Sequence, residues 1–95
     1  MSDITVRIPT ILRTYTGGAA EVSVSASGTL ADTLAALDAS YPGISSRVLD
    51  AEGALRRFVN IYVGDEDVRF AAGLATPTPA GTEVSIIPAV AGGAG

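Results

Sequence analysis

The sequence predicts an α+β roll, a mixed sheet of four to five strands packed on one main helix. Three observations predict it. Segments near both ends alternate apolar and polar residues, which is the period of a half-buried strand. Between them one segment repeats its large apolar residues at helical spacing. Glycine-containing turns separate the periodic segments. The chain has 95 residues, 47% of them apolar and only 17% charged, the composition of a single packed domain.

The elements follow in order. Ile4, Val6 and Ile8 alternate with Thr5 and Arg7, giving a first strand. Ile11 and Leu12 carry the apolar run past Pro9, where an edge or bulge is expected. Thr16-Gly17-Gly18 turns the chain, and Val22, Val24 and Ala26 alternate with Glu21, Ser23 and Ser25 to complete a hairpin. Leu30, Leu34, Leu37 and Tyr41 share one face of a helix expected over about residues 30–41. Thr29 with Asp32 resembles a capping box at its start, and Pro42-Gly43 stops it. Residues 44–57 read as irregular, with a loop at Asp50-Ala51-Glu52-Gly53. Phe58 to Val63 is β-branched and aromatic on both faces, which suits an interior strand. Gly64-Asp65 turns into a short partner strand, Asp67-Val68-Arg69-Phe70. Residues 71–82 connect, with room for one helical turn, to a last strand over 83–90. Hairpin, helical crossover and returning strands form a β-grasp pattern, with the first and last strands as parallel neighbours. One helix covers one sheet face and leaves the other to water or a partner.

What the chain lacks bounds its chemistry. It has no Cys, His or Lys, and all six cations are Arg. Thiolate nucleophiles, imidazole bases, Schiff-base lysines and Cys- or His-based metal sites are therefore excluded. The chain is expected not to be an enzyme in its own right. A net charge of -4 gives no basic field for nucleic acid. The N-terminus shows no signal-peptide pattern and no run of about 18 apolar residues occurs, so no membrane partner and a cytoplasmic location are expected.

The chain's unusual feature is Ala91-Gly92-Gly93-Ala94-Gly95, in which no side chain exceeds a methyl group. Such a backbone can thread a narrow channel in a partner enzyme, although a glycine-rich terminus is also what a frayed end looks like. Asp65-Glu66-Asp67 offers three carboxylates in one turn, a pattern that can hold a divalent cation but more often is a solvated turn. Arg56-Arg57 could pair with an acidic partner or only cover a surface edge. Gly17-Gly18 lacks the helix and Lys of a phosphate loop.

Five stretches carry a resemblance: 6–13 (VRIPTILR), 57–63 (RFVNIYV), 65–70 (DEDVRF), 73–76 (GLAT) and 88–93 (PAVAGG). In these the chain resembles the MoaD/ThiS-like sulfur carriers, and most closely those of cysteine biosynthesis. The resemblance covers nearly the whole chain. It implies a ubiquitin-like β-grasp domain over 1–90 and a flexible tail over 91–95, with Gly-Gly and a two-residue extension. It also implies a mechanism. An E1-like adenylating/sulfurtransferase enzyme, using ATP and Mg, activates the Gly93 carboxylate and converts it to a thiocarboxylate. Ala91 and Gly92 thread that enzyme. A PLP-dependent cysteine synthase using O-phosphoserine accepts the sulfur, and a zinc metalloprotease releases the product. These cofactors belong to the partners; the carrier itself is expected to bind no cofactor or metal and to hold no catalytic residue. One departure stands out, because Ala94-Gly95 follows Gly93 and leaves it no free carboxylate. The pair reads as an extension removed by a protease of the same metallo-class. Two alternatives stay open, a different pathway or Gly95 as the reactive end. Behind this leading reading stand two alternatives: sulfur donation to molybdopterin, a thiazole or a thio-natural product, or a ubiquitin-like binding module that carries no sulfur.

Overall fold

The computed structural model of the chain describes residues 3–26, 28–56 and 59–88. β1 (Asp3–Arg7) pairs antiparallel with β2 (Glu21–Ser25), so the expected hairpin forms. Ile4 lies opposite Val24 and Val6 opposite Val22, all buried. Thr5 and Ser23, then Arg7 and Glu21, pair on the other face, as a period of two requires. The connection differs from the expected edge or bulge: Thr10–Thr16 is a 3₁₀ helix. Pro9 starts it, because proline offers no N–H to a strand ladder and its φ of -68° suits entry to a helix. The helix ends at Gly17, whose φ of 67° is the left-handed conformation that glycine adopts without strain.

α1 (Leu30–Ser40) ends one residue earlier than expected. Asp32 accepts from the Thr29 backbone N–H at 3.0 Å and from the Thr29 hydroxyl at 3.3 Å. Gly28 makes room for this cap, since a Cβ there would stand 2.3 Å from the Asp32 carboxylate. Leu30, Leu34 and Leu37 are buried, and Tyr41 packs half-buried at the helix end. Thr33 is also buried, which the apolar pattern did not indicate. Its hydroxyl lies 2.9 Å from that of Thr78, which donates to the Thr29 carbonyl at 3.1 Å. This buried polar pair ties the 76–78 loop to the start of α1.

Residues 44–57 are less irregular than expected. A one-turn helix, α2 (Ser45–Val48), follows Ile44, and both Ile44 and Val48 are fully buried. β3 (Val59–Val63) and β4 (Glu66–Asp67) come next. The expected strand over 67–70 is corrected: Val68–Phe70 is a 3₁₀ turn. Asp67 accepts from the Arg69 N–H at 2.9 Å, and this local bond competes with the strand ladder. The turn drops Val68 into the core. Gly73–Ala75 supplies the single helical turn expected between 71 and 82.

β5 (Glu83–Pro88) runs parallel to β1 and antiparallel to β3, completing a mixed sheet ordered β2-β1-β5-β3-β4. This is the β-grasp roll, with the first and last strands adjacent and parallel at its centre. α1 covers one face of the sheet, over Ile4, Val6, Val22, Val24, Ile61, Val84 and Ile86. Its nearest backbone approach is to β2. Among the described residues no helix is long and apolar enough to cross a membrane. Arg57 and Phe58, the last two positions of the expected final strand, the domain limit at 90 and the tail over 91–95 lie outside the described residues.

Candidate functional site

Ala91, Gly92, Gly93, Ala94 and Gly95 fall beyond the last described residue, so the structure bears on the site through its root. β5 ends at Pro88, whose partner across the sheet is Val59, the first residue of β3. β5 is a central strand with neighbours on both edges. Its parallel neighbour β1 reaches Arg7 opposite Ser85, then leaves the sheet through Ile8 and Pro9. β5 is therefore paired on both edges up to Ser85, and by β3 alone from Ile86 to Pro88. Val84 and Ile86 anchor β5 into the core from the covered face.

The groups around this root are defined. Arg69 donates from Nη2 to the Arg56 carbonyl at 3.0 Å and to the Val59 carbonyl. This guanidinium thereby braces the start of β3, directly across from Pro88. Asn60, opposite Ile87, donates from Nδ2 to Asp67 Oδ2 at 2.9 Å. Asp67 receives the Arg69 N–H on its other oxygen. The Asn60 amide first, and the Arg69 N–H second, hold the Asp67 carboxyl below its ordinary value. Asp67 thus acts as a turn-former within Asp65-Glu66-Asp67. Among the described residues no group of three or more His, Cys, Asp or Glu side chains is placed to hold a metal ion.

The remaining sequence candidates have local duties. Arg56 donates from Nε to the Ser46 carbonyl at 3.0 Å, covering α2. Gly17-Gly18 closes the 3₁₀ helix and leads into a strand. On the open face Arg7 lies 3.8 Å from both Glu21 and Glu83, across three neighbouring strands. Three large apolar side chains stand exposed in the described residues: Ile11 at 68%, Phe70 at 87% and Ile87 at 45%. Sequence reading assigned Phe70 to a strand and Ile87 to the last strand without singling out either surface. The period-two pattern of β5 could have placed Ile87 outward, since it is offset by one from Val84 and Ile86.

A β-grasp domain whose sequence runs on past its last described strand to two glycines has the make-up of the ubiquitin-like class of carriers and modifiers. Within that class, the chain belongs to the ThiS family, whose model matches residues 6–93. The match ends on Gly93 and leaves Ala94 and Gly95 beyond it. The chain is 58% identical to the sulfur carrier protein CysO of Mycobacterium tuberculosis, covering 96% of this chain and 99% of that one. The crystal structure of M. tuberculosis CysO superposes with a TM-score of 0.86 at 55% identity, over 92% of this chain and 99% of that one. The Amycolatopsis orientalis BexX/CysO complex matches at 44% identity and a TM-score of 0.87, over 95% and 99%. SAMP1 of Haloferax volcanii matches at 29% identity and a TM-score of 0.77, over 96% and 99%.

Proposed function

We propose that this ThiS-family chain is a sulfur carrier for cysteine biosynthesis. The observation that carries the reading is full-length likeness: 58% identity over 96% of the chain to a protein named as a sulfur carrier. The site is consistent with a carrier. A central strand ends at Pro88, and the sequence then leads in five residues to Gly93. The residues at the root bond to one another and to backbone, and none is a His or Cys.

The chemistry follows from the terminus. A carboxylate resists nucleophilic attack because its charge and resonance oppose addition at carbon. Adenylation by a partner enzyme with ATP and Mg turns the Gly93 carboxylate into an acyl-phosphate anhydride and releases pyrophosphate. A sulfur nucleophile then adds at the acyl carbon and AMP leaves. The product is a thiocarboxylate, whose sulfur is the nucleophile in the next step. Ala91 and Gly92 let the terminus enter the partner, because nothing wider than a methyl group must pass. A PLP-dependent synthase acting on O-phosphoserine is the proposed acceptor, and a zinc metalloprotease releases the cysteine, all in the cytoplasm.

Ala94-Gly95 must leave before any of this, since Gly93 is acylable only as a free terminus. Removal of the pair by a protease of that metallo-class is part of the proposal. The decisive measurement is intact mass after incubation with the cognate adenylating enzyme, ATP and sulfide. The chain ending at Gly93 gains the mass of one sulfur replacing one oxygen; the chain ending at Gly95 stays unchanged. Conversion of both forms alike removes processing from the account, and conversion of neither removes the carrier function.

A further inference from the structure

Phe70 is the most exposed large apolar side chain in the described residues, at 87%. Isolated exposed apolar residues are ordinary. This one differs in its bracing and its place. It closes the 3₁₀ turn Val68–Phe70, which is tied down by the three residues before the ring. Asp67 caps the turn and is itself held by Asn60, while Arg69 is bonded to the Val59 and Arg56 carbonyls. Val68 anchors the turn in the core. The fold spends a buried anchor and a hydrogen-bonded turn on holding this segment in place, yet leaves the ring in water.

The place is the end of the sheet from which the tail departs. The turn packs against β3, and its arginine reaches the residue paired with Pro88. Strands lie about 4.8 Å apart, so the turn stands roughly 10 Å from β5. Ile87, 45% exposed, sits on the open face of β5 itself, opposite Asn60. Five residues from Pro88 reach at most about 18 Å. An enzyme acting on Gly93 must therefore lie against this end of the domain. A standard interface buries about 800 Å² per side, a disc of roughly 16 Å radius, which includes Phe70 and Ile87.

We propose that Phe70, together with Ile87 two strands away, is the docking anchor for the enzyme that activates the tail, inserting into an apolar socket beside that enzyme's entry channel. The proposal rests on the carrier reading. A relative of the same fold at 44% identity is found in complex with a different protein, which favours a heterologous occupant over a second copy. An exposed aromatic on a hydrogen-bonded turn suits an interface hot spot, since the backbone that carries it has little conformational freedom left to lose on binding.

The test uses the chain ending at Gly93 and its adenylating enzyme. Phe70→Ala leaves the melting temperature unchanged, because the ring buries little. In ATP–pyrophosphate exchange it raises KM for the carrier tenfold or more with kcat unchanged, since the tail still threads. An unchanged KM overturns the proposal, as does a fall in kcat alone. Titration of the same enzyme without ATP separates this result from the carrier reading. If wild type binds but is not adenylated, and Phe70→Ala binds tenfold more weakly, the docking surface stands while the carrier function falls. Absence of wild-type binding overturns the docking surface. Self-association that Phe70→Ala abolishes assigns the ring to a second copy and also overturns it. The same holds if only the later sulfur transfer weakens, which assigns the ring to the acceptor enzyme.

Discussion

The two faces of the sheet are built from the same strands and do opposite work. On the covered face Ile4, Val6, Ile61 and Val84 are fully buried under α1. On the open face the same strands present Arg7, Glu21, Glu83, Ser85, Asn60 and Tyr62. Hydrophobic burial on the first face holds the domain together. The second face contributes little: the Arg7 pairs are long and exposed, and such pairs are worth under about 1 kcal/mol. The lesson is a separation of duties. Stability lies under α1, so the open face and the tail root are free to serve a partner.

Five substitutions break or sharpen this contrast. The largest effect is expected on the covered face. Leu34→Ala removes a side chain that is 1% exposed and should cost about 2–5 kcal/mol in chemical denaturation. A loss below about 1 kcal/mol would mean that the face can collapse around the gap. Next is the buried hydroxyl pair. Thr78→Val strands the Thr33 hydroxyl and leaves the Thr29 carbonyl only the Thr33 N–H, and should cost about 1–3 kcal/mol. Thr33→Val should cost less, because Thr78 keeps its bond to Thr29; equal costs would refute the assigned donor direction.

The tail should show the reverse behaviour. Gly92→Val, made in the chain ending at Gly93, should leave thermal unfolding unchanged. Adenylation should fall at least tenfold, a barrier of about 1.4 kcal/mol, because a β-branched side chain widens and stiffens the threading segment. Wild-type rates for this variant would show that the tail is not threaded. The smallest effect concerns Asp67. Its carboxyl is held below the ordinary value of 3.8, so its contribution to stability is full above that value and is lost as pH falls below it. Asp67→Asn should therefore flatten the acid limb of the stability profile below about pH 4 and leave the neutral profile parallel to wild type. An unchanged acid limb would show that the carboxylate makes no stronger bonds in the folded state.

Much of the covered face was legible because its signals are local and periodic. The alternation in 4–8 and 22–26 gave the hairpin, and the spacing of Leu30, Leu34 and Leu37 gave the register of α1. Thr29 and Asp32 marked its start, and the expected parallel pairing of first and last strands is the one observed. Two segments were not. Ile11 and Leu12 continue an apolar run and read as strand, yet Pro9 diverts the chain into a 3₁₀ helix that buries Leu12 and exposes Ile11. Val68 and Phe70 alternate like a strand, yet the Asp67 carboxylate bends the backbone and separates them.

The sequence by itself determined the class of fold, the helix and its cap, and, through the absence of Cys, His and Lys, the side-chain chemistries closed to the chain. Each rests on residue type and near-neighbour spacing, which need no knowledge of distant contacts. Tertiary structure decided which apolar side chains are covered. Val68 is fully buried and Phe70 is 87% exposed, though both belong to one three-residue turn. Their difference comes from β3 and the 73–75 turn closing over one side only. Burial is a property of what arrives from elsewhere in the chain, and no local pattern encodes that arrival.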